Sequence, residues 1–281
     1  MTWSTKQLLV TRADRAERLA VLDTSGWEVV RTQSAQQLDD LLGELVAEDW
    51  SGTLLIAGGD GMLHLALNAV LQRTLRPTMT FAVLPTGTGN DFARSLGVAA
   101  GDLQAGLRVA AEGPLRTLPV PRCNGRYFVN AVTFGLPAEA THSTPEQLKD
   151  LLGSIAYSIV GVTMLLVSER QLSRLDSACG IEWEGELWGG TILNGAYTGG
   201  GNNPHPNADL FDGALYPVLY GTDEQWIHPL KPCRSLRVEF TQELTLSIDG
   251  EIVRSRQLDC SVGSVLIRCR TNRPDDRKAR P

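Results

Sequence analysis

The sequence has no Cys-x-x-Cys pair, no charged-then-apolar leader, no internal repeat and no basic patch outside its last dozen residues. Each absence removes a class of function. Five cysteines, Cys123, Cys179, Cys233, Cys260 and Cys269, are scattered without metal or redox spacing and read as reduced thiols of a cytoplasmic protein. A formal net charge of −6 over 281 residues argues against a nucleic-acid binder that relies on overall positive potential. Residues 151–168 carry no charge, but Gly153, Ser154, Ser158, Gly161, Thr163 and Ser168 dilute them. They read as a buried or interface-facing helix rather than a bilayer span. There is no Gly-Lys-Ser/Thr, and no Gly-x-Gly-x-x-Gly follows the first strand, so neither a Walker A nucleotide site nor an ordinary dinucleotide Rossmann site is expected.

What is present is ordinary globular material: 42% hydrophobic and 21% charged, with 28 glycines that imply many turns or backbone-lined sites. Two modest domains fit the length. Residues 6–10 form a short apolar run, residues 13–22 have helical spacing, and residues 26–30 read as a second strand. Leu38, Leu41, Leu42 and Leu45 mark a helix over 35–48. Residues 53–57 are a continuous apolar strand of the kind buried on both faces, 63–71 a helix, 80–84 a strand, and Asp91 opens another helix. Alternation of this kind predicts a parallel α/β sheet.

Beyond about residue 118 the pattern changes to short strands between turns, at 127–129, 180–183, 187–193, 214–220, 235–240, 244–248 and 265–269. The expected organisation is an α/β nucleotide-binding domain over 1–118, a β-sandwich over 119–270, and a solvated polar tail over 271–281.

Two loops carry the chemistry. Leu54-Leu55-Ile56-Ala57 runs into Gly58-Gly59-Asp60-Gly61 and then a helix. Glycines let backbone N–H groups approach an anion, and the helix N-terminus that follows favours negative charge. Such a run by itself is also compatible with a tight turn bearing a surface aspartate. The second loop adds weight: Ala82-Val83-Leu84 leads into Pro85-Thr86-Gly87-Thr88-Gly89-Asn90-Asp91. Both loops leave the carboxyl ends of parallel strands, the edge where ligands bind in open α/β sheets, with Thr86, Thr88 and Asn90 as side-chain donors.

Gly58-Gly59-Asp60-Gly61 followed by Leu84-Pro85-Thr86-Gly87-Thr88-Gly89-Asn90-Asp91-Phe92-Ala93-Arg94 resembles the catalytic domain of the diacylglycerol kinase family, which also includes sphingosine kinases and bacterial lipid kinases. The resemblance continues through residues 130–139 and 152–157, Asn194-Gly195, Gly199-Gly200-Gly201, Pro206-Asn207-Ala208-Asp209, Asp212-Gly213-Ala214-Leu215 and Asp249-Gly250-Glu251. It implies an ATP- and Mg2+-dependent lipid kinase whose cleft lies between an α/β domain and a β-sandwich. By the same resemblance Gly58, Gly59, Gly61, Thr86, Gly87, Thr88, Gly89 and Asn90 would meet the nucleotide, joined by Asp249 and Gly250. Asp60 and Glu251 would be catalytic carboxylates facing each other, with the roles of base and metal ligand unassigned. Asp209 and Asp212 resemble a loop that carries magnesium in bacterial members, although Tyr216 stands where an aspartate is usual. The acceptor would be a lipid alcohol at a membrane surface, with residues 151–168 as candidate trough and room for a homodimer.

Two departures keep alternatives open. The Asn-Pro-x-x-Gly loop usual after the first strand is replaced by Thr11-Arg12-Ala13-Asp14, and Leu65 stands where the family carries glutamate. A nucleotide- or lipid-binding protein without turnover is therefore a second reading, and a more distant NAD kinase-like enzyme a third.

Overall fold

The computed structural model describes residues 6–99, 101–135, 171–177, 179–221 and 227–274. The chain divides into two units, residues 1–119 with 265–281, and residues 120–264.

The first unit is built on four parallel strands in the order β2-β1-β3-β4: β1 is Gln7–Arg12, β2 Glu28–Thr32, β3 Thr53–Gly58 and β4 Thr80–Pro85. β3 and β4 are central because their side chains are apolar on both faces; Leu54, Leu55, Phe81 and Leu84 are fully buried. The helices cover the sheet with their periodic faces. α1, Ala35–Ala47, is capped by Ser34, whose hydroxyl accepts the Gln37 N–H at 3.2 Å, and it buries Leu38, Leu41, Leu42 and Leu45. α2 is Asp60–Leu71, α3 Asp91–Ser95, and α4 Leu103–Glu112, capped by Asp102 and burying Leu107 and Ala110. Register fixes the site: Ala57 lies opposite Leu84 and Gly58 opposite Pro85, so the two glycine loops leave the sheet side by side.

The expected helix over 13–22 is instead a 3-10 segment, Ala13–Leu19. Only Leu19 of its seven residues is buried, so little apolar surface holds a longer α-helix in place.

The second unit is strand-rich and antiparallel, and the chain enters it along β5, Leu115–Cys123. β6 is Arg126–Tyr127, β7 Ala131–Gly135, β8 Gln171–Ser177, β9 Glu182–Leu193, β10 Tyr216–Gly221 and β11 Ile227–Pro229. β12, Ser235–Ile248, and β13, Glu251–Arg270, form a long hairpin. β7 and β8 lie end to end between β9 and β12, so the expected sandwich strands join in one hydrogen-bonded network around a core that includes Phe134, Leu175, Ile192, Leu219, Val238 and Leu258.

Strands expected as separate pieces are continuous. Gly185 passes through β9 without turning the chain, and the break expected after Phe240 is a register shift within β12 rather than a loop. The expected strand at 265–269 is the end of β13, which returns to the first unit and pairs parallel to β4, Cys269 opposite Phe81.

The tail expectation is corrected for residues 271–274. Thr271 is fully buried. Its N–H donates to the Pro114 carbonyl at 3.0 Å and its hydroxyl to Leu96 O at 2.8 Å, while the Asn272 N–H donates to Leu96 O at 2.9 Å. Sequence polarity misled here because each polar group finds a backbone partner. Truncation after Arg270 is expected to cost about 3 kcal/mol, roughly 1 kcal/mol for each of these bonds. Urea denaturation measures it; a truncated chain as stable as the full one contradicts the docking.

Candidate functional site

The two glycine loops touch through their backbones. A Cβ added to Gly87 would lie 2.4 Å from Gly59 Cα and 3.0 Å from its nitrogen; one added to Gly59 would lie 3.1 Å from Gly87 Cα. No side chain fits there. The Thr86 N–H adds a bond to Gly58 O at 3.2 Å.

Side chains then lock the pair. Asp60, in the first turn of α2, accepts the Asp91 N–H on one carboxylate oxygen and the Phe92 N–H on the other, both at 3.1 Å, so it ties the start of α3 to the first loop. Asn90 is in the left-handed region, φ 54°, and its amide closes on Gly87: Oδ1 accepts the Gly87 N–H at 3.0 Å and Nδ2 donates to the Gly87 carbonyl at 2.7 Å. Asn90, expected as a ligand donor, uses its amide to shape the loop.

Two features of the loops are of the kind that suits an anion. α2 spans twelve residues, and Gly59 at its N-cap has no side chain to accept an N–H of the first turn. Thr86 is 3% exposed, and its hydroxyl is buried without a hydrogen-bond partner. A buried orphan hydroxyl in a glycine loop is what a bound phosphate oxygen would satisfy, so these residues fit a nucleotide phosphate chain. Gly61 and Thr88 are exposed, and Gly89 is half-buried. Arg18, which sequence reasoning missed, donates from Nη1 to the Thr86 carbonyl.

Leu65 is 45% exposed and borders a groove of about 210 Å3 with Ala35, Gln36, Leu38 and Asp39, beside the start of α1. Residues 151–168, the expected lipid trough, lie outside the described residues.

In the second unit Asp249 and Gly250 are the two-residue turn between β12 and β13, at φ 48° and 94°, as a tight hairpin requires. The Asp249 carboxylate accepts three backbone N–H groups, from Val129 at 2.7 Å, Asn130 at 2.9 Å and Ala131 at 3.0 Å. Asn194 joins this knot, donating to the Val129 carbonyl at 2.8 Å. Asp249, expected at the nucleotide, thus binds its own backbone. Glu251 opens β13, is partly exposed, and is ion-paired with Arg126 of β6.

The loop proposed to carry magnesium is self-satisfied. The Tyr216 hydroxyl donates to Asp212 Oδ2, Asp212 Oδ1 accepts the Ala214 N–H at 3.0 Å, and Asp209 Oδ1 accepts the Phe211 N–H at 3.3 Å. Burial first, and then the Asp212 hydrogen bond, push the Tyr216 hydroxyl pKa well up, so it stays a donor. Among the described residues no group of three or more His, Cys, Asp or Glu side chains could hold a metal. Asp209 and Asp212 therefore do not fit a metal site: Tyr216 takes up the carboxylate that a cation would need.

The profile of the diacylglycerol kinase catalytic domain matches residues 4–123. A Shewanella frigidimarina protein named "Probable lipid kinase YegS-like" is 31% identical over 261 residues, 86% of this chain and 84% of that protein. The diacylglycerol kinase of Bacillus subtilis is 33% identical over 210 residues, 73% of this chain and 63% of that one. In fold, a diacylglycerol kinase from Bacillus anthracis str. Sterne superposes with a TM-score of 0.71 over 96% of this chain and 98% of its own, at 18% identity.

Two substitutions test the loop geometry without any ligand. Gly87→Ala sets a methyl against immovable backbone and is expected to cost about 1–3 kcal/mol. Asp60→Asn turns an amide N–H2 toward a backbone N–H and is expected to cost about 1–3 kcal/mol. Chemical denaturation reads both, and wild-type stability in either variant would mean the loops are not joined in this way.

Proposed function

The chain belongs to the diacylglycerol kinase catalytic-domain family, and from that membership we propose that it transfers the γ-phosphoryl group of ATP to the hydroxyl of a lipid alcohol such as diacylglycerol at a membrane surface. The relatives that carry the assignment are named as kinases. The observation that supports the nucleotide half of the reading is the Gly59–Gly87 backbone contact with the buried, unpartnered Thr86 hydroxyl beside it. Three donors of this kind converge on one place: loop N–H groups, an uncapped helix start and a hydroxyl.

Phosphoryl transfer is mostly positioning and charge stabilisation. The acceptor hydroxyl forms a new O–P bond to the γ-phosphorus, the bond to the bridging oxygen of ADP breaks, and the hydroxyl proton goes to a carboxylate. Magnesium, when bound with ATP, neutralises charge on the phosphate oxygens. Asp60 suits the demand for a rigid carboxylate: each of its oxygens accepts a backbone N–H, which fixes the orientation of the group. Glu251 is the second carboxylate by resemblance, and its ion pair with Arg126 restrains its side chain. Among the described residues no helix is long and apolar enough to cross a membrane. That is compatible with contact at the membrane surface by a protein of the cytoplasm.

One observation favours a second reading, nucleotide binding without turnover: β1 runs straight into the 3-10 segment with no glycine loop of its own.

Transfer of label from γ-labelled ATP to a panel of lipid alcohols in mixed micelles (diacylglycerol, phosphatidylglycerol and a sphingoid base) separates the two. We expect one labelled lipid, lost by about 100-fold or more in Asp60→Asn and in Glu251→Gln, the scale of a general base. MgATP binding by calorimetry with no labelled lipid from any alcohol would overturn the kinase reading in favour of the second.

A further inference from the structure

β1, β3 and β4 lie next to one another and run the same way, so their carboxyl ends share one edge. β3 and β4 each deliver glycines to that edge. β1 delivers Thr11-Arg12-Ala13-Asp14 and then the 3-10 segment Ala13–Leu19, which has no glycine and so no bare backbone to cradle an anion. What this segment does bring is two arginines, Arg15 and Arg18, beside two acids, Asp14 and Glu17. Arg12 is consumed by Asp14 in a bidentate pair at 3.0 and 2.8 Å. Arg18 has no acidic partner among the described residues; its guanidinium donates to the Thr86 carbonyl and the residue is exposed.

We propose that Arg18 is a phosphate-binding residue of the nucleotide site and reads the di- or triphosphate part of the ligand. Three observations carry this. A guanidinium has five N–H donors, and a single carbonyl leaves donors for a second acceptor. The residue it grips is the one whose hydroxyl is buried without a partner, so the cation and the orphan donor belong to the same turn. The loops also contain Asp60 and Asp91, whose carboxylates repel a polyphosphate unless positive charge stands close by. A cation on the Thr86 carbonyl supplies that charge while it braces the loop. The inference rests on nucleotide binding at these loops, and it assigns phosphate recognition to a side chain outside both of them.

The test is the preference for ATP over AMP, measured in the full chain by competition with a fluorescent ATP analogue, in wild type, Arg18→Gln and Arg18→Lys. Loss of a charged hydrogen bond to phosphate weakens ATP by about 10- to 100-fold. AMP, which lacks the outer phosphates, is expected to change little, so the ratio of the AMP to the ATP dissociation constant falls at least fivefold in Arg18→Gln, with partial recovery in Arg18→Lys. An unchanged ratio overturns the inference, whether ATP binding is unaffected or both nucleotides weaken alike, since a brace for Thr86 alone would not distinguish them. Failure of the kinase reading is separable: a wild-type chain that prefers ATP and loses the preference in Arg18→Gln, yet labels no lipid, keeps this assignment and loses the other. A wild-type chain that binds neither nucleotide overturns both.

Discussion

Everything at the candidate site depends on two glycine α-carbons in contact. With Gly58 opposite Pro85 in the sheet, the chains leaving β3 and β4 start side by side, and they stay close only if neither carries a side chain where Gly59 meets Gly87. The absence of a Cβ at Gly59 and Gly87 is therefore a packing requirement, independent of any backbone dihedral. Asp60 and Asn90 then hold what the glycines permit, one across the loops and one within the second. A loop of bare glycines loses much conformational entropy on ordering. Four side-chain bonds to backbone offset that loss and hold the loops in one shape.

The same economy appears in the second unit. Asp249 satisfies three N–H groups of the segment leading into β7, and Asn194 takes the Val129 carbonyl of the same segment. These residues belong to motifs shared with lipid kinases, and in this chain their side chains serve the backbone. Glu251, one residue beyond the turn that Asp249 fixes, is positioned by that scaffold and steadied by Arg126.

Much of the architecture was legible because apolar periodicity and glycine placement are local signals. The run 53–57, the leucine spacing of α1 and the loops after β3 and β4 each appear where those signals stand. The misreadings have separate physical causes. Thr271 reads as tail because Leu96 and Pro114 are more than 150 residues distant. Residues 13–19 read as α-helix because spacing says nothing about how little of the segment is buried. The split of β9 and β12 into short pieces came from treating Gly185 and the residues after Phe240 as turns, where the long strands absorb them as an uninterrupted step and a register shift. Arg18 had no legible signal at all: only the fold brings a residue of the β1 edge onto the turn that follows β4.

Tyr216 decides what the Asp209–Asp212 loop can do. An aspartate at that position would add a third acid to Asp209 and Asp212 and create a demand for a cation. A tyrosine reverses the sign of the demand: its hydroxyl is a donor, burial keeps it protonated, and Asp212 accepts it. One substitution thereby turns a loop that needs an ion into a loop closed by its own hydrogen bonds. The consequence is local: hydrogen bonds within the chain, with no call on a divalent cation, close this loop.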